Sequence, residues 1–163
     1  MAYDATEWHD LFVAVAGASA ALAGLVFVAV SINLERILRY EGLPERALET
    51  VALLVGVLVV AIVGLIPGQS HVALGLEMLV VGLALGALVV RLPSRYTGPD
   101  QEPRAWRFWR WGLRLVSIAP IVIGGLSLLF EGGGGLYWVV AGIVAATLAA
   151  VANAWVLLVE ILR

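Results

Sequence analysis

Five apolar runs, separated by short stretches rich in Gly, Pro and charge, restrict this chain to one class of fold. They cover about 11–33, 51–66, 72–90, 112–130 and 136–158. The hydrocarbon core of a bilayer is about 30 Å thick, and a helix rising about 1.5 Å per residue needs about 20 apolar residues to cross it. A crossing backbone must also satisfy its own N–H and C=O groups, which an α-helix does within one segment. The runs therefore predict an all-α, polytopic membrane protein, a five-transmembrane-helix bundle with a single domain over residues 1–163. The second run is the shortest. Its helix is expected to start earlier, near Pro44, because proline suits the first helical turn and Glu45 and Glu49 suit a helix N-terminus.

Composition agrees with that reading. Hydrophobic residues make up 62% of the chain and charged ones 13%, with a mean hydropathy of +1.00. Soluble domains carry about 45–50% apolar residues, so a soluble enzyme, a disordered tail and a disulfide scaffold are all excluded. The chain has no Cys, which removes thiol chemistry and Cys-ligated metals. The segment before the first run is acidic and carries no Arg, unlike the basic start of a cleaved signal peptide, so the first run is expected to be retained as a span.

The arginines orient the bundle. All ten basic residues are Arg, and five spans put every one of them on the same side. Arg36, Arg39 and Arg46 fall in the first loop. Arg91, Arg95, Arg104, Arg107, Arg110 and Arg114 lie in or beside the third, and Arg163 ends the chain. The positive-inside rule then predicts an outside N-terminus and a cytoplasmic C-terminus, in a multi-pass protein of the plasma (inner) membrane. Trp8, Tyr137 and Trp138 are expected at the outer interface, and Trp106, Trp109, Trp111 and Trp155 near the inner one, where amphipathic rings settle.

Stepping along the first run by three and four residues gives Glu7, Asp10, Ala14, Gly17, Ala21, Gly24, Val28, Ser31 and Glu35, all on one helical face. That face is acidic at both ends and small between them. Gly142, Ala146, Ala149, Asn153, Val156 and Glu160 make a related stripe in the fifth run, and Gly75, Gly82 and Gly86 lie in the third. Small residues let membrane helices approach closely. The same pattern also suits the lining of a cation path in a homo-oligomer, where acidic rings select cations. Glu77 is the one carboxylate well inside a run, and an ionisable group at that depth faces a partner or a wet cavity. The ion-path candidates are thus Glu7, Asp10, Ser31, Glu35, Glu77 and Asn153. Pro120, mid-way along the fourth run, predicts a kink there.

Two further clusters carry weaker signals. His9 and His71, level with Glu7, Asp10 and Glu131, have the ligand types for zinc but no ligand spacing, so no metal is assigned. Ser70, His71 and Asp10 match a hydrolytic triad in type only, without a nucleophile elbow. At the inner side, Arg104, Trp106, Arg107, Trp109, Arg110, Trp111 and Arg114 form a basic-aromatic segment suited to anionic lipid or a cytoplasmic partner. Nucleic acid is not expected. With no nucleophile, redox or metal motif, the chain reads as a non-enzyme without cofactor. The function expected is a homo-oligomeric conduction or transport path for small cations or protons. The alternative is a non-catalytic membrane scaffold or accessory subunit that binds lipid or a partner protein.

Overall fold

The computed structural model describes residues 2–40, 42–91 and 104–161, and leaves out the side chains of residues 104–111, 113, 160 and 161. The loop marked by Pro93, Gly98, Pro99 and Pro103, with Arg95, lies outside the described residues, as does Arg163. Six α-helices follow one 3-10 turn, and the described residues contain no strand.

The 3-10 turn, Ala5–Trp8, is capped by Asp4, whose carboxylate accepts the Thr6 N–H at 2.9 Å and the Thr6 hydroxyl at 2.6 Å. Helix α1, His9–Ile32, follows directly. It ends where the Asn33 side chain donates to the Ala29 carbonyl at 2.9 Å. The chain then makes the short helix α2, Leu34–Arg39. Gly42, at φ +84°, supplies the left-handed turn into α3, Leu43–Gly64. Pro44 sits in the first turn of α3, as its missing N–H allows. Helix α4, His71–Arg91, is capped by Ser70, whose hydroxyl accepts the Ala73 N–H at 3.2 Å. Helix α5, Arg104–Phe130, continues through Pro120, and α6 is Leu136–Ile161.

Four stretches are long and apolar enough to cross a membrane: Ala5–Ile32, Leu43–Gly64, His71–Arg91 and Leu136–Val159. Helix α5 contributes a shorter apolar stretch, Arg114–Phe130. The molecule is a helical bundle of membrane type.

Helix α3 is the hub, packed against α1, α4 and α6, while α5 fills the space between α4 and α6. Leu54, Val57, Val60 and Ala61 of α3 meet Phe12 of α1, Leu74 and Met78 of α4, and Val139 and Ile143 of α6 in one core. Glycines set the spacing of the α4–α5–α6 layer. A Cβ on Gly75 would lie 2.9 Å from the Gly125 carbonyl oxygen, and one on Gly142 would lie 3.1 Å from the Ile121 nitrogen. The small residues of α4 and the buried part of the α6 stripe are therefore packing seams, with backbones in near contact.

Side-chain and backbone contacts fix which helix ends lie together. Trp8 meets Tyr137 edge to face with ring centroids 4.8 Å apart, and Leu136 N–H donates to the Ala2 carbonyl at 2.9 Å. His71 Nε2 lies 3.2 Å from Glu131 Oε1. The starts of α1, α4 and α6 thus share one end with the close of α5. That end holds Asp4, Glu7, His9, Asp10, His71 and Glu131. At the opposite end Arg114 meets Glu49, near the start of α3. Arg36, Arg39, Arg46 and Arg91 belong to that arginine end through the helices that carry them.

Candidate functional site

Among the described side chains Glu49 is the one charged residue that is buried, and it pairs with Arg114. Glu49 sits two turns into α3, where the helix has turned its carboxylate toward α5. Arg114 Nε donates to Glu49 Oε1 at 2.9 Å and Nη2 donates to Oε2 at 2.7 Å. This is the parallel two-bond geometry that guanidinium and carboxylate favour. The side chains are only 12% and 9% exposed, so water screens them little. Neighbouring polar groups are satisfied locally. The Thr50 hydroxyl donates to the Arg46 carbonyl at 2.8 Å, and Ser117, one turn along from Arg114, reaches the Ala145 carbonyl of α6 at 3.5 Å. Glu45, one turn before Glu49 on the same face, has Oε2 enclosed without a hydrogen-bond partner. Chemically the pair acts as a clamp between α3 and α5 at the arginine end. It neutralises two charges that would otherwise face hydrocarbon.

The sequence pointed elsewhere for both residues. The sequence predicts Glu49 at a helix N-terminus, but it lies beyond the first turn, where a carboxylate no longer meets free N–H groups. Arg114 belongs by sequence to the basic-aromatic segment, but its guanidinium turns inward onto Glu49. The available signal was a carboxylate flanked by apolar and small residues on α3, matched by one arginine at the edge of an apolar run. The backbones of Arg104, Trp106, Arg107, Trp109, Arg110 and Trp111 lie on α5, but their side chains are outside the described residues.

The six ion-path candidates do not converge within one chain. The stripe starts in the 3-10 turn at Glu7, follows α1 and ends on α2 at Glu35, and all nine of its residues are exposed, Asp10 and Ser31 included. Nothing lies within 4 Å of a Cβ built on Gly17 or Gly24. The buried residues of α1, Phe12 and Ser19, lie on the opposite side, against α3. Ser31 donates to its own helix at the Phe27 carbonyl, 2.8 Å away. Glu77 is half-buried on α4 near the acidic end and accepts a hydrogen bond from Gln69 Nε2 in the α3–α4 turn. Its partner is thus a turn residue. Asn153 is half-buried on α6, toward the arginine end.

At the acidic end, His71 pairs with Glu131, while Ser70 serves as a helix cap. Glu131 adopts φ +48° at the close of α5, and Gly132 N–H reaches back to the Ser127 carbonyl at 3.2 Å, a left-handed helix stop. Among the described residues no three His, Asp or Glu side chains gather into a group that could hold a metal. Asp4 is held below the ordinary aspartate range by its hydrogen bonds from the Thr6 hydroxyl and then from the Thr6 N–H. In comparisons with protein-family models, with curated proteins and with solved structures, the chain matches none.

Proposed function

We propose that the chain is a five-pass protein of the plasma (inner) membrane, N-terminus outside, that assembles through α1 into a homo-oligomer and serves as a non-catalytic membrane subunit. The observation that carries this reading is the free small face of α1. Elsewhere in the bundle small residues are spent on helix contacts, at Gly75 against Gly125 and Gly142 against Ile121. On α1 the same residue types face outward over the whole helix. Lipid tails are as apolar as leucine, so a helix gains little by showing them glycine. Close approach of a second helix gives those glycines a use. The five crossings and the orientation are supported by the end-to-end contacts, which alternate helix direction and gather the described arginines at one end.

A conduction path is the second reading, favoured by the acidic ends of the same face. Its middle, Ala14, Gly17, Ala21, Gly24 and Val28, brings no polar side chain, which suits a seam better than a wet lining.

The chain has no Cys, so single cysteines separate the readings. Gly17→Cys and Ala21→Cys are expected to form a disulfide-linked dimer in the membrane, which requires Cα atoms within about 7 Å, and to resist a membrane-impermeant thiol reagent. Labelling from water, with cation or proton flux that falls in Glu7→Gln/Asp10→Asn, would instead establish conduction. Neither cross-link nor label would mean that the face meets lipid alone, and the assembly reading would fail.

A further inference from the structure

The last helix begins without a cap of its own. Residue 135, where the chain enters α6, is glycine, with no side chain to accept an N–H of the first turn. The Tyr137 and Trp138 N–H groups turn back to the Gly134 and Gly135 carbonyls at 3.1 and 3.2 Å, and the Gly135 N–H goes to the Ser127 hydroxyl at 2.7 Å. The N–H groups of Gly134 and Leu136 remain. Leu136 is fully buried, so its N–H needs a partner from the protein. Both partners come from the far end of the sequence. The Ala2 carbonyl accepts from Leu136 at 2.9 Å, and the Tyr3 hydroxyl accepts from Gly134 at 3.3 Å. Trp8 adds its edge-to-face contact with Tyr137. Gly135 lies so close to this segment that a Cβ there would collide with the Ala2 carbonyl oxygen and stand 2.8 Å from Tyr3 Cδ1.

This attachment is separate from the one that seats α1 on α3. Tyr3, Ala5 and Trp8 rest half-buried on the core, and no residue of Ala5–Trp8 is buried outright. The next anchor is Phe12, fully buried, whose ring lies on the bare backbone at the end of α3, where a Cβ on Gly64 would stand 2.6 Å from Phe12 Cε2. Between the two attachments His9, Asp10 and Leu11 are exposed. Trp8, at φ −103° and ψ 3°, departs from helical angles where the 3-10 turn meets α1. A terminal position of that kind can absorb a rotation. The hairpin between α5 and α6 keeps its shape by its own bonds: Ser127 holds Gly132 and Gly135, and Trp138 Nε1 donates to the Gly133 carbonyl at 2.7 Å. Lifting residues 2–8 therefore breaks few buried contacts, which is the character of a segment that opens locally.

We infer that residues 2–8 are a latch between the first and last helices: closed, it lends α6 the cap that Gly135 lacks, and it opens as one unit about the Trp8–Phe12 junction while the core around α3 stays folded. Opening frees the Gly134 and Leu136 N–H groups together. It also detaches the acidic end of α1 from the α5–α6 hairpin while Phe12 keeps its seat against Gly64. The latch is independent of what meets the small face of α1 and of which side of the membrane the acidic end occupies, because every contact it uses lies within one chain.

The test is hydrogen–deuterium exchange of the full chain in detergent micelles, resolved to single amides. In the parent, Gly134 and Leu136 are expected to be protected, yet to exchange about tenfold or more faster than Val57 and Val60 in the middle of α3. A variant lacking residues 2–4 is expected to speed exchange at Gly134 and Leu136 by about tenfold or more, from the two lost hydrogen bonds, with Val57 and Val60 unchanged. Gly135→Ala keeps residues 2–4 but drives a Cβ into the Ala2 carbonyl, and is expected to act in the same direction. Exchange at Leu136 in the parent as slow as at Val57 overturns the inference, because the segment then does not open on its own. So does unchanged exchange at Gly134 and Leu136 in the shortened chain. A shortened chain in which Val57 and Val60 speed up as much as Leu136 also overturns it, since residues 2–4 would then belong to the cooperative core.

Discussion

Glu49 and Arg114 show how unequal the two ways of removing a buried ion pair are. Truncating one partner leaves the other charge stranded in a low-dielectric interior, at a cost of about 3–5 kcal/mol. Glu49→Leu and Arg114→Met are therefore each expected to lower thermal stability in detergent strongly. Glu49→Leu/Arg114→Met replaces both charges with apolar bulk and is expected to recover most of the loss, and a double-mutant cycle measures the coupling. Glu131 is a different economy. Its left-handed backbone would suit glycine, yet its carboxylate holds His71. Glu131→Gly is expected to relax the backbone and lose the cross-helix contact, leaving stability near neutral pH within about 1 kcal/mol of the parent. Asp4 governs an acid limb. Its carboxyl lies below the ordinary value when folded, so its contribution is complete above an aspartate pKa of about 3.9 and lost as pH falls through the lowered value. In an unfolding series against pH, the gap between the parent and Asp4→Asn is expected to close at the acid end. Asp4 caps its own turn through Thr6, two residues on, a contact that needs no tertiary packing. The Glu49–Arg114 pair was not readable, because its partners are 65 residues apart and only the packing of α3 on α5 brings them together.

Glycine means opposite things on α1 and on α5. Gly125→Ala would bring its Cβ to 2.9 Å from the Gly75 carbonyl oxygen and 2.9 Å from the Leu79 nitrogen, both backbone atoms that cannot swing away. A cost of about 1–3 kcal/mol is expected from forcing the two helices apart. Gly17→Ala meets nothing within 4 Å, and thermal stability of the single chain is expected to be unchanged. The same substitution should weaken cross-linking from Ala21→Cys if α1 is a seam between copies. Comparing the two alanine variants in one detergent assay checks both statements. At this scale the sequence was informative about where helices run and why they stop. Pro44 acts through backbone chemistry that does not depend on neighbours. Which small stripe faces inward was not encoded locally, since Gly75 and Gly17 sit in runs of the same composition. The answer came from α4 having α5 beside it while α1 packs on α3 through its opposite face.

For the molecule as a whole, the separation of acidic and arginine ends is the property most exposed to test. Single cysteines at Gly132, between α5 and α6, and at Leu48, near the start of α3, lie at opposite ends. With the N-terminus outside, an impermeant thiol reagent added to intact cells is expected to label the first and spare the second; the reverse pattern would invert the protein. The gathering of the described arginines at one end was legible because arginine placement is a one-dimensional property of the chain. The arrangement of helices was not, because it is decided by pairwise fit. One consequence of that arrangement belongs to biosynthesis. Helix α3 takes part of its burial from α6, the last of the six helices to leave the ribosome. Until then the face of α3 that packs on α6 has no final partner. The newly made hub must wait in the bilayer with an unfinished surface, so a nascent chain stalled between α5 and α6 should be the species most readily captured by insertion machinery or by a quality-control protease.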